Sequence, residues 1–147
     1  MKYTIKKIFF VVSTTFCFMN MQCEDHDDVF ELTCDFVTTI DKTKYDNLET
    51  ASFTFITAEI VGDCLILQIG ASGCSGDNWS FNLVDSGAIA ESSPEQRFLK
   101  FQLINNEMCL AFFERTVSFD LSPLQINGSN ETILHIEGLE SSLHYKY

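Results

Sequence analysis

The chain has 147 residues, 21 of them acidic and 9 basic, for a formal charge of −12; 46% are hydrophobic, 20% are charged and only two are proline. This apolar share excludes intrinsic disorder, and the length suits one domain. The acid excess repels a phosphate backbone, so nucleic acid is not an expected partner.

The first segment reads as an export signal. Lys2, Lys6 and Lys7 precede an apolar run from Ile8 to Met21, interrupted by Ser13, Thr14, Thr15 and Asn20. That is a basic region followed by a hydrophobic one, too short for the roughly 20 apolar residues that a spanning helix needs. Cys23 follows directly, and Glu24, Asp25, Asp27 and Asp28 come within the next five positions. Cleavage before Cys23 removes three lysines, which leaves 125 residues with a net charge of −15.

This junction resembles the signal peptides of bacterial lipoproteins, whose cysteine sulfur is acylated before cleavage. Asn20 and Gln22 depart from the usual Leu-like and small residues of that box. Gln22-Cys23-Glu24-Asp25 is similar to the looser boxes of Bacteroidota lipoproteins. The resemblance implies a signal peptide over 1–22, a lipidated Cys23 with an acidic tether over 23–28, and one folded domain over 29–147. It also implies that Glu24, Asp25, Asp27 and Asp28 direct display on the outer face of the outer membrane. Cleavage by ordinary signal peptidase, giving a soluble secreted protein, is the competing reading.

From residue 29 the pattern is that of short strands. Phe30, Leu32, Cys34 and Phe36 alternate with polar residues, and Asp41 to Asn47 carries turn chemistry. Phe53 and Phe55 alternate, and the apolar phase then slips by one before Ala58 and Ile60, as a β-bulge would cause. Leu65, Leu67, Ile69 and Ala71 share a face up to the Gly/Ser-rich loop Ser72 to Asn78, and Trp79, Phe81 and Leu83 form the next strand. Asp85 to Gln96 reads as the longest loop, with a helical turn around Ala88 to Glu91. Leu99 to Leu103 and Met108 to Phe112 read as a hairpin about Asn105-Asn106, and Val117 to Leu121 as a further strand. Glu131 to Glu137 and Ser142 to Tyr147 close the chain. About eight short strands without an amphipathic helix give an all-β fold, a β-sandwich of Ig-like or related type, with a small β-barrel as the alternative.

Centring the last hairpin between Leu139 and Glu140 pairs Ile136 with Leu143, Leu134 with Tyr145 and Thr132 with Tyr147 on the core face. On the other face it sets His135 against His144. Two imidazoles near Glu137 fall short of the three or four ligands that Zn²⁺ takes, so a solvated pair is the expectation and metal binding the alternative.

Four cysteines lie in the fold. An exported chain meets oxidising conditions, which favours two disulfides. The ten-residue strand between Cys64 and Cys74 spans roughly 33 Å, beyond the roughly 7 Å that a disulfide permits. We expect Cys74 with Cys109 and Cys34 with Cys64.

No motif for a cofactor or for catalysis is present: no G-x-S-x-G elbow, no H-E-x-x-H, no P-loop and no C-x-x-C. No cofactor and no catalytic residue are therefore expected. Trp79, with Asp77 and Asn78, is the candidate sugar-stacking site, against the alternative that Trp79 is a core residue. Gly62-Asp63-Cys64-Leu65, Ser72-Gly73-Cys74, Glu107-Met108-Cys109 and Val117 to Leu124 resemble segments of small Bacteroidota lipoproteins of no assigned activity. Two functions stay open: a non-catalytic surface module that binds an envelope protein or glycan, and a small hydrolase using paired carboxylates.

Overall fold

The computed structural model describes residues 33–147. The expected signal, Cys23, the acidic tether and the first apolar positions Phe30 and Leu32 lie outside the described residues. Nine strands form two sheets, as expected of an all-β sandwich, and the sheets do not close into a barrel. The first contains β1 (Phe36–Val37), β7 (Ala111–Asp120), β4 (Cys64–Gly73) and β3 (Thr54–Val61), in that order; the second contains β2 (Thr39–Ile40), β5 (Ser80–Ala90), β6 (Glu95–Ile104), β8 (Glu131–Ile136) and β9 (Leu143–Lys146). A five-residue helix, α1 (Lys42–Asp46), follows β2.

Period-two alternation places the core. Leu65, Leu67 and Ile69 of β4 meet Leu99, Phe101 and Leu103 of β6, with Val117, Phe119, Leu134 and Tyr145 around them. Each fully buried side chain of this size contributes about 1.5 to 3 kcal/mol. Edge-on contacts of Phe101 with Phe53 and Phe119 lie at 5.0 and 6.0 Å between ring centroids. The slip in apolar phase along β3 is a break of register between Phe55 and Thr57.

The N-terminal strand is divided between the sheets. Phe36 and Val37 pair in parallel with Phe119 and Asp120, whereas Thr39 and Ile40 pair in parallel with Val84 and Asp85. Thr38, at the crossing, is 2% exposed, and its N–H donates to the Asp120 carbonyl. The disulfides join Cys34 to Cys64 and Cys74 to Cys109, closing spans of 30 and 35 residues.

Four local expectations are corrected. Asp41 to Asn47 is helical: the Asp41 side chain accepts the Lys44 N–H, an N-cap that turn chemistry also favours. Asp85 to Gln96 is not a loop, and Ala88 to Glu91 is not a helical turn. There β5 runs on to Ala90 through an irregularity between Asp85 and Ile89 and pairs with β6 again. Its polar residues sit inside because Asp85 is paired with Arg97 at 3.0 Å. Asn105-Asn106 is a crossing between sheets, since β6 and β7 belong to different ones, and β7 unites the two segments read as separate strands.

The fourth correction is the last hairpin. Thr132 pairs with Tyr145, Ile133 with His144 and Leu134 with Leu143, two residues out from the expected register. A slip of two preserves the faces, so Thr132, Leu134, Ile136 and Tyr145 are buried as expected. The cause is the turn: Gly138 has φ +85°, and the Leu139 N–H donates to the Ile136 carbonyl, which moves the centre toward Gly138.

Candidate functional site

The register slip separates the two histidines. His135 instead lies beside Phe98 of β6, its ring stacked on the phenyl at 5.3 Å and 17°, and its Nε2 is 2.7 Å from the side-chain Oε1 of Gln96. His144 faces Glu131, at 2.8 Å. Among the described residues there is no group of three or more His, Cys, Asp or Glu side chains that could hold a metal. The expected direct pairing of His135 with His144 is therefore corrected.

Trp79 is also withdrawn as a platform. Its side chain is 7% exposed and packs in the core. Asp77 is exposed but engaged, accepting from Arg115 at 2.9 Å, and Asn78 is exposed. The loop that carries them is held from within. The Glu107 carboxylate accepts the N–H groups of Cys74, Ser75 and Gly76 at 2.6, 3.1 and 3.0 Å, filling a nest of backbone amides with the protein's own anion. Those amides, led by Gly76, hold its carboxyl down at about 2.

A different surface carries the features of a site. Between α1 and the irregular stretch of β5 lies a cleft of about 480 Å³. Lys42, Tyr45 and Asp46 form one wall, Ser86, Gly87 and Ala88 the other, and Phe98 lies at its base. Phe98 occupies an outward position of β6, between buried Arg97 and Leu99, and remains 38% exposed. Tyr45 is partly buried, with the Lys100 ammonium 4.6 Å from its ring centroid; burial raises its phenol, and Lys100 opposes that shift.

One buried residue fixes both walls. The Asp85 carbonyl accepts the Asp41 N–H at 3.1 Å, seating the start of α1. Its carboxylate accepts the Gly87 N–H at 2.7 Å, shaping the opposite wall, where Gly87 has φ +75°, a conformation that favours glycine. Arg97 completes the arrangement from below. Burial raises the Asp85 carboxyl above its ordinary value, against the lowering effects of the Gly87 amide and Arg97.

The cleft offers a flat apolar ring at its base, a hydroxyl at Ser86 and opposite charges at its rim. Such a combination fits a polar ligand with one apolar face, the character of a sugar ring. Among the described residues one carboxylate lines it, Asp46, which is paired with Lys42 at 2.7 Å. None of the lining residues was singled out in the sequence. The available signal was Phe98 itself, an aromatic in the polar phase of a strand.

No protein-family model matches the chain, and no curated protein matches it. Among solved structures it is similar to a protein of unknown function, DUF1344, from Bacteroides vulgatus, with 16% identity over 76% of this chain and a TM-score of 0.51. It is also similar to a protein named as toxin-related from Parabacteroides distasonis, with 17% identity over 76% of the chain and a TM-score of 0.47. The chain spans 55% and 60% of those two lengths. At this identity the first likeness is one of fold alone.

Proposed function

We propose that this protein is a non-catalytic binding module of the cell envelope, anchored through a lipidated Cys23, displayed on the outer face of the outer membrane, and holding a glycan in the cleft between α1 and β5. The supporting observation is the exposed Phe98 ring, backed by His135, at the base of polar walls that the buried Asp85 fixes from behind. A hydrolase with paired carboxylates needs two carboxyl groups facing one space, about 5 to 10 Å apart. Among the described residues Asp46 is the one carboxylate lining the cleft, and Asp85 is 0% exposed.

Glycan-array binding tests the site. The wild-type protein is expected to be retained by at least one glycan, and Phe98→Ala to lose that retention at least tenfold, through loss of a stacking surface worth about 1.5 kcal/mol or more. Retention that is unchanged in Phe98→Ala contradicts the assignment.

A further inference from the structure

We infer that the edge of β7 left unpaired among the described residues is a second interaction surface, which takes an extended, basic segment of another protein as an added strand. β7 pairs with β4 along its whole length but with β1 only at Phe119 and Asp120. Direction along that edge follows from its occupied end. The Ser118 N–H donates to the Asp35 carboxylate and the Asp120 carbonyl accepts from Thr38, so even-numbered residues of β7 turn their backbone groups away from β4. By alternation the N–H groups of Phe112, Glu114 and Thr116 point outward. Among the described residues none of these three meets an acceptor; the Glu114 carbonyl meets only the Arg115 guanidinium, at 3.3 Å.

The other long edge of the same sheet is protected; among the described residues this one is not. β3 carries a register break between Phe55 and Thr57, a device that disfavours edge pairing. β7 has no such break and no proline across Ala111–Asp120. Its largest outward side chain also clears the edge. Phe112 lies back across β4, where a Cβ added to Gly70 would come 2.1 Å from the ring's Cζ.

Beside the edge, Met108 and Leu110 are 93% and 91% exposed. They flank a residue fixed by the disulfide to Cys74, and Glu107 on the other side of Met108 is fixed in its amide nest. The two apolar side chains are thus presented on a tethered backbone, which reduces the ordering cost of docking.

Charge selects the occupant. Glu114 lies on this edge strand and Asp35 beside it, at Ser118, and the chain carries −12 overall. A second copy would bring like charges together, whereas a lysine-bearing strand meets Glu114 favourably while its backbone pairs with Phe112, Glu114 and Thr116.

The test is amide hydrogen exchange of the full chain in neutral detergent, titrated with a capped peptide of alternating valine and lysine. Saturable slowing is expected at Phe112, Glu114 and Thr116. The same peptide N-methylated at alternate residues, or with glutamate for lysine, is expected to bind at least tenfold more weakly. Thr116→Pro removes an outward N–H without breaking a bond to β4, and is expected to abolish the protection. Equal binding by the N-methylated peptide, or protection elsewhere only, overturns the proposal. So does a concentration-dependent dimer that Thr116→Pro dissolves, because the occupant would then be a second copy.

Discussion

Replacing Arg97 by methionine isolates the contact that holds the cleft together. The Arg97 and Asp85 side chains are 7% and 0% exposed, so solvent screens their pairing little. Among the described residues Asp85 Oδ2 has no hydrogen-bond partner, and Oδ1 would retain only the Gly87 N–H. Removing one member of a buried pair costs about 3 to 5 kcal/mol, because the remaining charge stays buried. For a domain of this size that lowers Tm by roughly 10 to 20 °C.

Double substitution distinguishes this cause from lost packing. Asp85→Asn keeps an acceptor for Gly87 but removes the charge, so Arg97→Met with Asp85→Asn should recover about 1.5 kcal/mol or more relative to Arg97→Met alone. The pH dependence provides a second check. Burial raises the Asp85 carboxyl in the folded state, so ionisation there costs stability, and that cost fades as pH falls through the folded value. Without Arg97 the folded value rises further. The penalty of Arg97→Met therefore shrinks as pH falls toward that raised folded value. Urea unfolding of the four proteins across a pH series from neutral into acid measures all of this. A cost below about 1 kcal/mol for Arg97→Met, or a penalty that does not change with pH, would refute the reasoning.

Other consequences follow from the loop on the far side of the fold. Glu107 is held at about 2 against an ordinary 4.5, so its contribution to stability is complete above 4.5 and is lost as pH falls toward 2; Glu107→Gln should flatten that part of the Tm-against-pH curve. Replacing Cys74 and Cys109 by serine opens a span of 35 residues and should cost about 4 kcal/mol in chemical unfolding, while leaving the pairing of β5 with β6 intact by amide exchange. Tyr145→Phe removes a buried hydroxyl that donates to Asp63 at 2.6 Å and accepts from Gln125 at 2.9 Å, and should lower stability by about 1 kcal/mol in the same assay.

Where a local physical cause acts, the fold was legible in the sequence. Burial of one face imposes alternation, so the inward sets of β4, β6 and β8 and the phase slip at Phe55–Thr57 follow from the string of residues. Partnerships across long separations were not legible. Asn105-Asn106 has the chemistry of a hairpin, yet the chain crosses there to the other sheet, because the pairing of β7 with β4 is decided some 45 residues away. Asp85 to Gln96 looked like a loop because the stretch is small and polar, and only the mutual neutralisation of Asp85 and Arg97 permits burial inside paired strands. The last hairpin kept its faces but not its neighbours, since alternation fixes only the face and the turn at Gly138 fixes the register. The candidate site escaped for a related reason: Tyr45, Ser86 and Phe98 come from three separate elements, and nothing in their own neighbourhoods marks them as sharing a cleft.

The proposed display at the envelope depends on acylation of one sulfur, that of Cys23. Intact-mass measurement of the polypeptide purified from the membranes of its producing cell tests it directly. The account predicts a chain that begins at Cys23 and carries the added mass of a diacylglyceryl group. An unacylated chain, or one with a different first residue, would contradict it.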